Sequence, residues 1–175
     1  MTTLCHTLVL GGARSGKSRF AEQLVIASGL ERIYVATAQP ADAEMADRIS
    51  EHKRRRAEQG WRTIEEPFEL TATLDRVTGP RQAVLVDCLT LWLSNVMLAR
   101  AETDSAAGGL IEQISRLAGP VVLVSNEVGL GIVPETALGR RFRDAQGHLN
   151  QSLAMTVPRV VFIAAGLPLV LKGHL

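Results

Sequence analysis

Short apolar runs alternate with longer segments of mixed polarity along most of the chain. The runs have three to five residues, mostly valine, leucine, isoleucine and alanine, which is typical of buried strands. Several of the longer segments carry apolar side chains three or four residues apart, as helices do. The alternation predicts an open α/β sheet. The five predicted strands are residues 8–10, 33–36, 83–87, 121–124 and 160–164, and residues 169–171 are predicted as an antiparallel edge strand.

The segments between these strands predict six helices and several connecting loops. Residues 61–67 predict a short extended segment that ends at Pro67. Residues 102–109, which are small and polar, predict a surface loop, and residues 128–135 predict a second loop with two glycines and a proline. Trp92 is expected in the core. The predicted helices are residues 19–26, 41–60, 69–77, 88–100, 110–118 and 136–156.

The pattern G-x-x-x-x-G-K-S follows the first apolar run and precedes the first predicted helix. This strand–loop–helix context favours a phosphate-binding loop over an ordinary glycine-rich turn. Glycines let several backbone N–H groups point at one phosphate, and the helix N-terminus adds partial positive charge. Lys17 is expected to reach the β- and γ-phosphates, and the Ser18 hydroxyl to bind Mg²⁺. The predicted loop comprises Gly11, Gly12, Ala13, Arg14, Ser15, Gly16, Lys17 and Ser18.

Polar residues follow several predicted strands. Asp87 ends an apolar run, as does the acidic residue that holds Mg²⁺ in many P-loop enzymes. The alternative role for Asp87 is to cap the next helix. Ligands of open α/β sheets bind at the carboxyl ends of strands. We therefore expect Thr37, and the polar residues 125–127, to lie near the phosphate-binding loop.

The predicted helix at residues 41–60 is unusually polar, so core burial alone cannot hold it. Arg48 stands four residues before His52, and Arg55 and Arg56 stand three and four residues after it. These spacings place all three arginines on the same side of the helix as His52. Positive neighbours disfavour protonation of the imidazole and also form a cradle for phosphate oxygens. A solvated surface helix with pairs such as Glu51–Arg55 is the alternative reading of the same pattern.

Composition limits the classes of function. The 175 residues are 46% hydrophobic and 21% charged, which are ordinary values for one globular domain. With a net charge of +1, the chain has no global field that would favour nucleic acid, and no aromatic platform accompanies the basic run at residues 53–56. No apolar run reaches the length of a membrane span. Arg140, Arg141 and Arg143 fit either an anionic ligand or a solvated helix face.

Nearly the whole chain resembles the bifunctional adenosylcobinamide kinase/adenosylcobinamide-phosphate guanylyltransferases of cobalamin biosynthesis. Because a phosphate-binding loop alone identifies only a superfamily, the resemblance depends on several blocks together. It is carried by residues 11–18 (GGARSGKS), 34–37 (YVAT), 48–53 (RISEHK), 86–95 (VDCLTLWLSN), 125–134 (SNEVGLGIVP), 142–144 (FRD), Gly147, 150–151 (NQ) and 166–168 (GLP).

The resemblance implies two reactions. In the first, the γ-phosphate of ATP or GTP moves to the hydroxyl group of cobinamide. In the second, a histidine attacks the α-phosphate of GTP and keeps GMP as a phosphoramidate, which adenosylcobinamide phosphate then accepts. His52 is the implied nucleophile, and Lys17 stabilises the transferring phosphate. Some relatives have a second histidine where this chain has Glu51, so His52 alone is left to carry the nucleotide here.

The resemblance also implies further binding residues and an assembly. The fold is expected to be RecA-like, with a mostly parallel sheet, helices on both faces and an antiparallel C-terminal edge strand. A single domain, a homotrimer and a cytoplasmic location are expected, with Mg²⁺ held by Ser18 and Asp87. A P-loop NTPase or nucleotide-binding switch without group transfer is the alternative function. Nucleotide contacts are implied for Ala36, Thr37, Ala38, Lys53, Arg54, Arg55, Arg56, Glu65 and Asp87.

Overall fold

The computed structural model describes residues 4–39, 43–99 and 101–175; for residues 43–49 and 52 it describes the backbone alone. Strands and helices alternate as the apolar pattern predicts, with two successive helices between β4 and β5. The strands are β1 (Thr7–Gly11), β2 (Glu31–Ala36), β3 (Trp61–Glu65), β4 (Gln82–Asp87), β5 (Val121–Asn126), β6 (Arg159–Ala164) and β7 (Leu167–Lys172). The helices are α1 (Lys17–Ala27), α2 (Ala43–Glu58), α3 (Leu70–Val77), α4 (Leu89–Leu98), α5 (Thr103–Ile114) and α6 (Ala137–Thr156).

All seven strands form one sheet in the order β3-β2-β4-β5-β1-β6-β7. Every neighbouring pair is parallel except β6 and β7, which are antiparallel. The predicted edge strand is therefore confirmed, and Pro168 is accommodated because β7 has no neighbour on its outer side. The predicted extended segment at residues 61–67 supplies the opposite edge, as β3.

Helices cover both faces of the sheet, and alternate strand residues point to the two sides. On one face, Leu8, Val84 and Leu123 pack with apolar residues of α3, α4, α5 and α6. On the other face, Val9 and Leu85 pack with apolar residues of α1. Burial on both faces explains why the strands are continuous apolar runs. Trp92 belongs to the first of these cores and is 1% exposed, as expected.

The surface loop predicted at residues 102–109 is wrong, because most of it forms the first half of α5. Leu110 and Ile114 of this helix are fully buried, and Ala106 and Ala107 pack against the same core. Tertiary burial outweighs the poor helix propensity of the two glycines within this segment. Among the described residues, no helix is both long and apolar enough to cross a membrane.

Candidate active site

The carboxyl ends of four neighbouring strands, β1, β5, β4 and β2, lie side by side. Gly11 of β1 is paired with Asn126 of β5, and Ala36 of β2 is paired with Asp87 of β4. Because β5 lies between β1 and β4, the loop after β1 and the carboxylate at the end of β4 face a common edge. Open α/β sheets bind ligands at this edge.

The loop between β1 and α1 has a tightly wound backbone. Gly16 caps α1 in the left-handed conformation, with φ at 98°. A Cβ atom on Gly11 would lie 2.4 Å from the Ile163 carbonyl oxygen of the neighbouring strand, so only glycine fits there. The Ser15 amide donates to the Gly12 carbonyl at 3.3 Å, which closes a turn between them. The loop leads directly into the positive N-terminal end of α1.

Lys17 folds back over this loop. Its ammonium group donates a 2.7 Å hydrogen bond to the Gly12 carbonyl, and the residue is 7% exposed. Burial lowers the pKa of Lys17 from its ordinary value, while the nearby Asp87 and Cys88 act in the opposite direction. A buried ammonium group in this position is available to an anion that enters the loop.

A cleft of about 260 Å³ lies between α1 and α2. We call it the α1–α2 cleft. It brings together residues from four predicted groups: the phosphate-binding loop, the end of β2, the polar helix and the acidic strand end. It is lined by Ser18, Glu22, Tyr34, Ala36, Ala38, Arg55, Arg56, Glu65 and Asp87.

Tyr34 lines this cleft and contacts side chains from β4, α2 and β3. Its hydroxyl group donates a 2.9 Å hydrogen bond to the Asp87 carboxylate, and the Arg56 guanidinium lies 3.7 Å from the centroid of its ring. Trp61 meets the same ring edge-on, with centroids 5.9 Å apart. Burial, reinforced by the negative charge of Asp87, raises the pKa of Tyr34, so the hydroxyl group remains a donor.

Two further basic side chains of α2, those of Lys53 and Arg54, lie outside the lining of the cleft. Lys53 forms a 2.8 Å ion pair with Glu65 at the end of β3. Arg54 faces a different groove, which it lines together with Glu51, Arg55 and Glu58. The backbone of His52 lies in α2, one turn before Arg56, and its side chain is outside the described part of the chain, as is that of Arg48.

Thr37 is fully buried rather than exposed to the cleft. Its hydroxyl group donates to the Cys88 carbonyl at 2.7 Å and accepts from the Cys88 amide at 2.8 Å. The Asn95 carboxamide donates to the Thr37 carbonyl. Thr37 therefore fixes the end of β2 to the end of β4, between Ala36 and Ala38.

Tyr34 and Glu22 also line the cleft, although the motifs of the sequence predict no role in the site for either residue. The spacing of residues in a helix and in a strand would place both side chains near the predicted site. Glu22 follows Ser18 by four residues in α1, so the two share a helix face. Tyr34 precedes Ala36 by two residues in β2, so the two share a face of the sheet.

The oxygen atoms of Ser18 and Asp87 line the same cleft and suit a hard cation such as Mg²⁺. Magnesium keeps several waters and substrate phosphates in its coordination shell, so two protein oxygens fit its requirements. Within the described part of the chain, no group of three or more histidine, cysteine, aspartate or glutamate residues could hold a metal ion by itself. The donors present therefore match a metal that arrives with a nucleotide.

A phosphate-binding loop ahead of a helix, a buried lysine and an acidic strand end on a parallel sheet define a P-loop nucleotide-binding protein of the α/β class. The chain belongs to the cobinamide kinase/cobinamide phosphate guanyltransferase family, whose profile matches residues 7–171. This confirms the resemblance found in the sequence, and the family is one of enzymes.

Curated relatives match almost the whole chain. The bifunctional adenosylcobalamin biosynthesis protein CobP of Pseudomonas aeruginosa is 51% identical over 169 residues, which cover 95% of this chain and 97% of that protein. The proteins named CobU from Escherichia coli K12 and Salmonella typhimurium are 38% and 39% identical, each over 94% of this chain and 98% of the relative.

Solved structures of distant sequence share the fold. A protein from Pyrococcus horikoshii OT3 aligns with a TM-score of 0.54 and 11% identity, over 98% of this chain and 88% of its own. The flagellar accessory protein FlaH of Methanocaldococcus jannaschii aligns with a TM-score of 0.53 and 11% identity, over 97% of this chain and 79% of its own. The α/β fold with its mostly parallel sheet is thus common to proteins of widely different sequence.

Proposed function

We propose that this chain catalyses two successive reactions on a corrinoid. It phosphorylates adenosylcobinamide with ATP or GTP, and it then transfers GMP from GTP to adenosylcobinamide phosphate through His52. The products of the second reaction are adenosylcobinamide-GDP and pyrophosphate. Membership of the family supports both activities. The structural observation that carries the proposal is that Ser18 of the phosphate-binding loop lines one cleft with Arg55 and Arg56 of the helix that bears His52.

In the phosphorylation step, a hydroxyl oxygen of the corrinoid attacks the γ-phosphorus and its proton passes to solvent. The bond to the bridging oxygen breaks with its electron pair leaving on the nucleoside diphosphate. The backbone N–H groups of the loop and the Lys17 ammonium stabilise the negative charge on the transferring group. Lys17 exchanges its hydrogen bond to the Gly12 carbonyl for one to phosphate. Ser18 and Asp87 would hold Mg²⁺, which would supply further neutralisation of the phosphate charge.

In the guanylyl transfer, an imidazole nitrogen of His52 attacks the α-phosphorus of GTP, and pyrophosphate leaves as the N–P bond forms. A phosphate oxygen of the corrinoid then attacks the same phosphorus, and the N–P bond breaks, which restores the histidine. Ala36, Ala38 and Glu65 contact the nucleotide, and Thr37 holds the backbone between the two alanines. The basic side chains at residues 53–56, Lys53, Arg54, Arg55 and Arg56, neutralise phosphate charge.

The covalent intermediate provides the sharpest test of this function. Incubation with GTP labelled at the α-phosphorus should leave an acid-labile, base-stable label on the protein and release pyrophosphate. His52→Ala should abolish the label, whereas His148→Ala, which alters an exposed histidine of α6, should retain it. A label that persists in His52→Ala would refute the assignment. GTP hydrolysis to GDP without pyrophosphate release or any effect of cobinamide would indicate a simple NTPase.

We also propose a homotrimer, as the resemblance implies. The outer edge of β7 supports self-association, since Leu167, Leu169 and Leu171 are 72%, 59% and 57% exposed along an edge strand. Exposed apolar edges of this kind favour pairing with another chain. Light scattering on the eluted protein should give three times the chain mass of 18.9 kDa, and Leu169→Lys should lower it. A monomeric wild-type protein would contradict the proposal.

A further inference from the structure

A second cleft lies against a different face of α1. It has a volume of about 430 Å³, and we call it the hairpin cleft because the turn between β6 and β7 forms one wall. The phosphate-binding loop forms the opposite wall. It is lined by Arg14, Ser15, Gly16, Arg19, Phe20, Gln23, Ala165, Gly166 and Leu167.

Helix α1 separates the two clefts and presents a different face to each. Ser18 and Glu22, four residues apart, line the α1–α2 cleft. Arg19 and Gln23, also four residues apart, line the hairpin cleft. One step along a helix turns the side chain by about 100°. Phosphates bound at the N-terminus of α1 therefore have space for the rest of a nucleotide on either side.

The walls of the hairpin cleft are fixed to each other. The Gly166 amide donates a 2.9 Å hydrogen bond to the Ser15 carbonyl, which joins the hairpin turn to the phosphate-binding loop. Among the described residues, Arg14 and Ala165 are the two non-glycine residues with positive φ, at 55° and 50°, and both line this cleft. Such conformations persist where surrounding structure enforces them, and they concentrate at ligand sites. The cleft is thus formed before any ligand binds.

Its side chains match a flat heterocycle with hydrogen-bonding edges. Phe20 and the guanidinium groups of Arg14 and Arg19 offer surfaces on which a ring can stack. The exposed Gln23 carboxamide offers both a donor and an acceptor to a base edge. The volume lies within the range of small-molecule sites, about 300–1,000 Å³. A corrin ring with its substituents is much larger than a nucleoside and suits the space less well.

We propose that the hairpin cleft binds the nucleobase of the triphosphate that donates its γ-phosphate to the corrinoid, on a different face of α1 from the guanosine of the GMP donor. This inference rests on the proposed function, in which Ala36, Ala38 and Glu65 contact the GTP that reacts with His52. The two nucleotides then place their phosphates in the same phosphate-binding loop, while their nucleosides lie in different clefts. One subunit can hold only one of them at a time, so the two donors compete.

The test compares ATP with inorganic tripolyphosphate, which has the phosphates but no base. Calorimetry on the wild-type protein should show tighter binding of ATP. Gln23→Ala, at an exposed position, should weaken ATP binding and raise the kinase KM for ATP on the order of fivefold, the value of one hydrogen bond. Tripolyphosphate binding and GTP labelling of His52 should be unchanged. Phe20→Leu should act in the same direction, and Gln151→Ala, at an exposed position on α6, should change none of these.

Several results would overturn the inference. Equal affinities of the wild-type protein for ATP and tripolyphosphate would do so, as would a Gln23→Ala variant with wild-type ATP binding. A rise in KM for cobinamide alone would assign the cleft to the corrinoid instead. Saturating ATP should also suppress GTP labelling of His52 competitively, and simultaneous binding of both nucleotides would contradict a shared loop. A wild-type protein that lacks both transfer activities refutes the proposed function, while ATP binding by Gln23→Ala, compared with the wild-type protein, still decides the cleft.

Discussion

The Tyr34 hydroxyl group donates a 2.9 Å hydrogen bond to Asp87, the last residue of the neighbouring strand β4. The Arg56 guanidinium lies over the ring of the same tyrosine. Tyr34 therefore links the polar helix α2 to the carboxylate expected to hold the metal. Arg56 is 7% exposed, and its Nε atom has no hydrogen-bond partner within the described part of the chain. The aromatic face compensates part of the cost of burying this charge.

Tyr34→Phe should keep the ring under Arg56 but release the Asp87 carboxylate. We expect a loss of roughly 1 kcal/mol in the free energy of unfolding. We also expect a higher Mg²⁺ concentration for half-maximal kinase activity, because the carboxylate is no longer held in one orientation. Urea unfolding and a Mg²⁺ titration measure the two effects. Tyr34→Leu should cost a further 0.5–2 kcal/mol, roughly the value of a cation–π contact. Equal stabilities of the two variants would argue against the contact with Arg56.

The two glycines that open the phosphate-binding loop should differ sharply in their tolerance of alanine. On Gly11 a Cβ atom would lie 2.4 Å from the Ile163 carbonyl oxygen and 2.8 Å from Ser15 Oγ. On Gly12 a Cβ atom would have no neighbour within 4 Å. Gly11→Ala should therefore reduce the free energy of unfolding by roughly 1–3 kcal/mol or more, the typical cost of overpacking. Gly12→Ala should stay within about 1 kcal/mol of wild type in thermal or urea unfolding, and equal losses would contradict the geometry.

A buried polar network joins α6 to the end of β5. The Asn150 Oδ1 atom accepts hydrogen bonds from Ser125 and Gln146, at 2.7 and 3.1 Å, and its amide donates to the Asn126 carbonyl at 3.1 Å. Asn150→Ala should leave these buried groups short of partners and cost about 1–3 kcal/mol or more. Gln151→Ala, at the next and exposed position, should change the free energy of unfolding by less than about 0.5 kcal/mol. Comparable losses in both variants would show that the network contributes little.

The order of the strands explains which site residues could be predicted from sequence. The phosphate-binding loop is a continuous motif, and Asp87 follows an apolar run, so local pattern was enough to locate both. Tyr34 was not predicted, because a tyrosine in an apolar strand is usually a core residue. Its partner is 53 positions away and becomes a neighbour only because β2 lies beside β4. Pairing between strands was not visible in the apolar pattern.

The helices, too, could be predicted from the local sequence only in part. Helix α2 was predicted from residue composition despite its thin apolar stripe, and it is present as Ala43–Glu58. Helix α5 was predicted only in its second half, since Gly108 and Gly109 each lower helix propensity by about 1 kcal/mol relative to alanine. Burial of Leu110 and Ile114 between α3, α4 and α6 reverses that preference. The compensating contacts lie in other elements, so the local sequence did not contain them.

His6, which directly precedes β1, should make the free energy of unfolding depend on pH. The Val121 amide donates a 3.2 Å hydrogen bond to Nδ1 of His6, which requires that nitrogen to be unprotonated. Burial lowers the pKa of His6 below its ordinary value of 6.5. Below pH 6.5 the unfolded chain therefore binds a proton that the folded chain excludes, and stability falls as pH decreases until the folded pKa is reached.

Urea unfolding at pH 7.5 and pH 5.5 should reveal this loss, with a slope of at most about 1.4 kcal/mol per pH unit for one proton. His6→Asn retains an acceptor at the position of Nδ1 but does not titrate in this range, so its stability should fall less between the two pH values. His148→Asn alters an exposed histidine and should keep the wild-type pH dependence. If His6→Asn loses as much stability on acidification as the wild-type protein, a group other than His6 is responsible for the pH dependence.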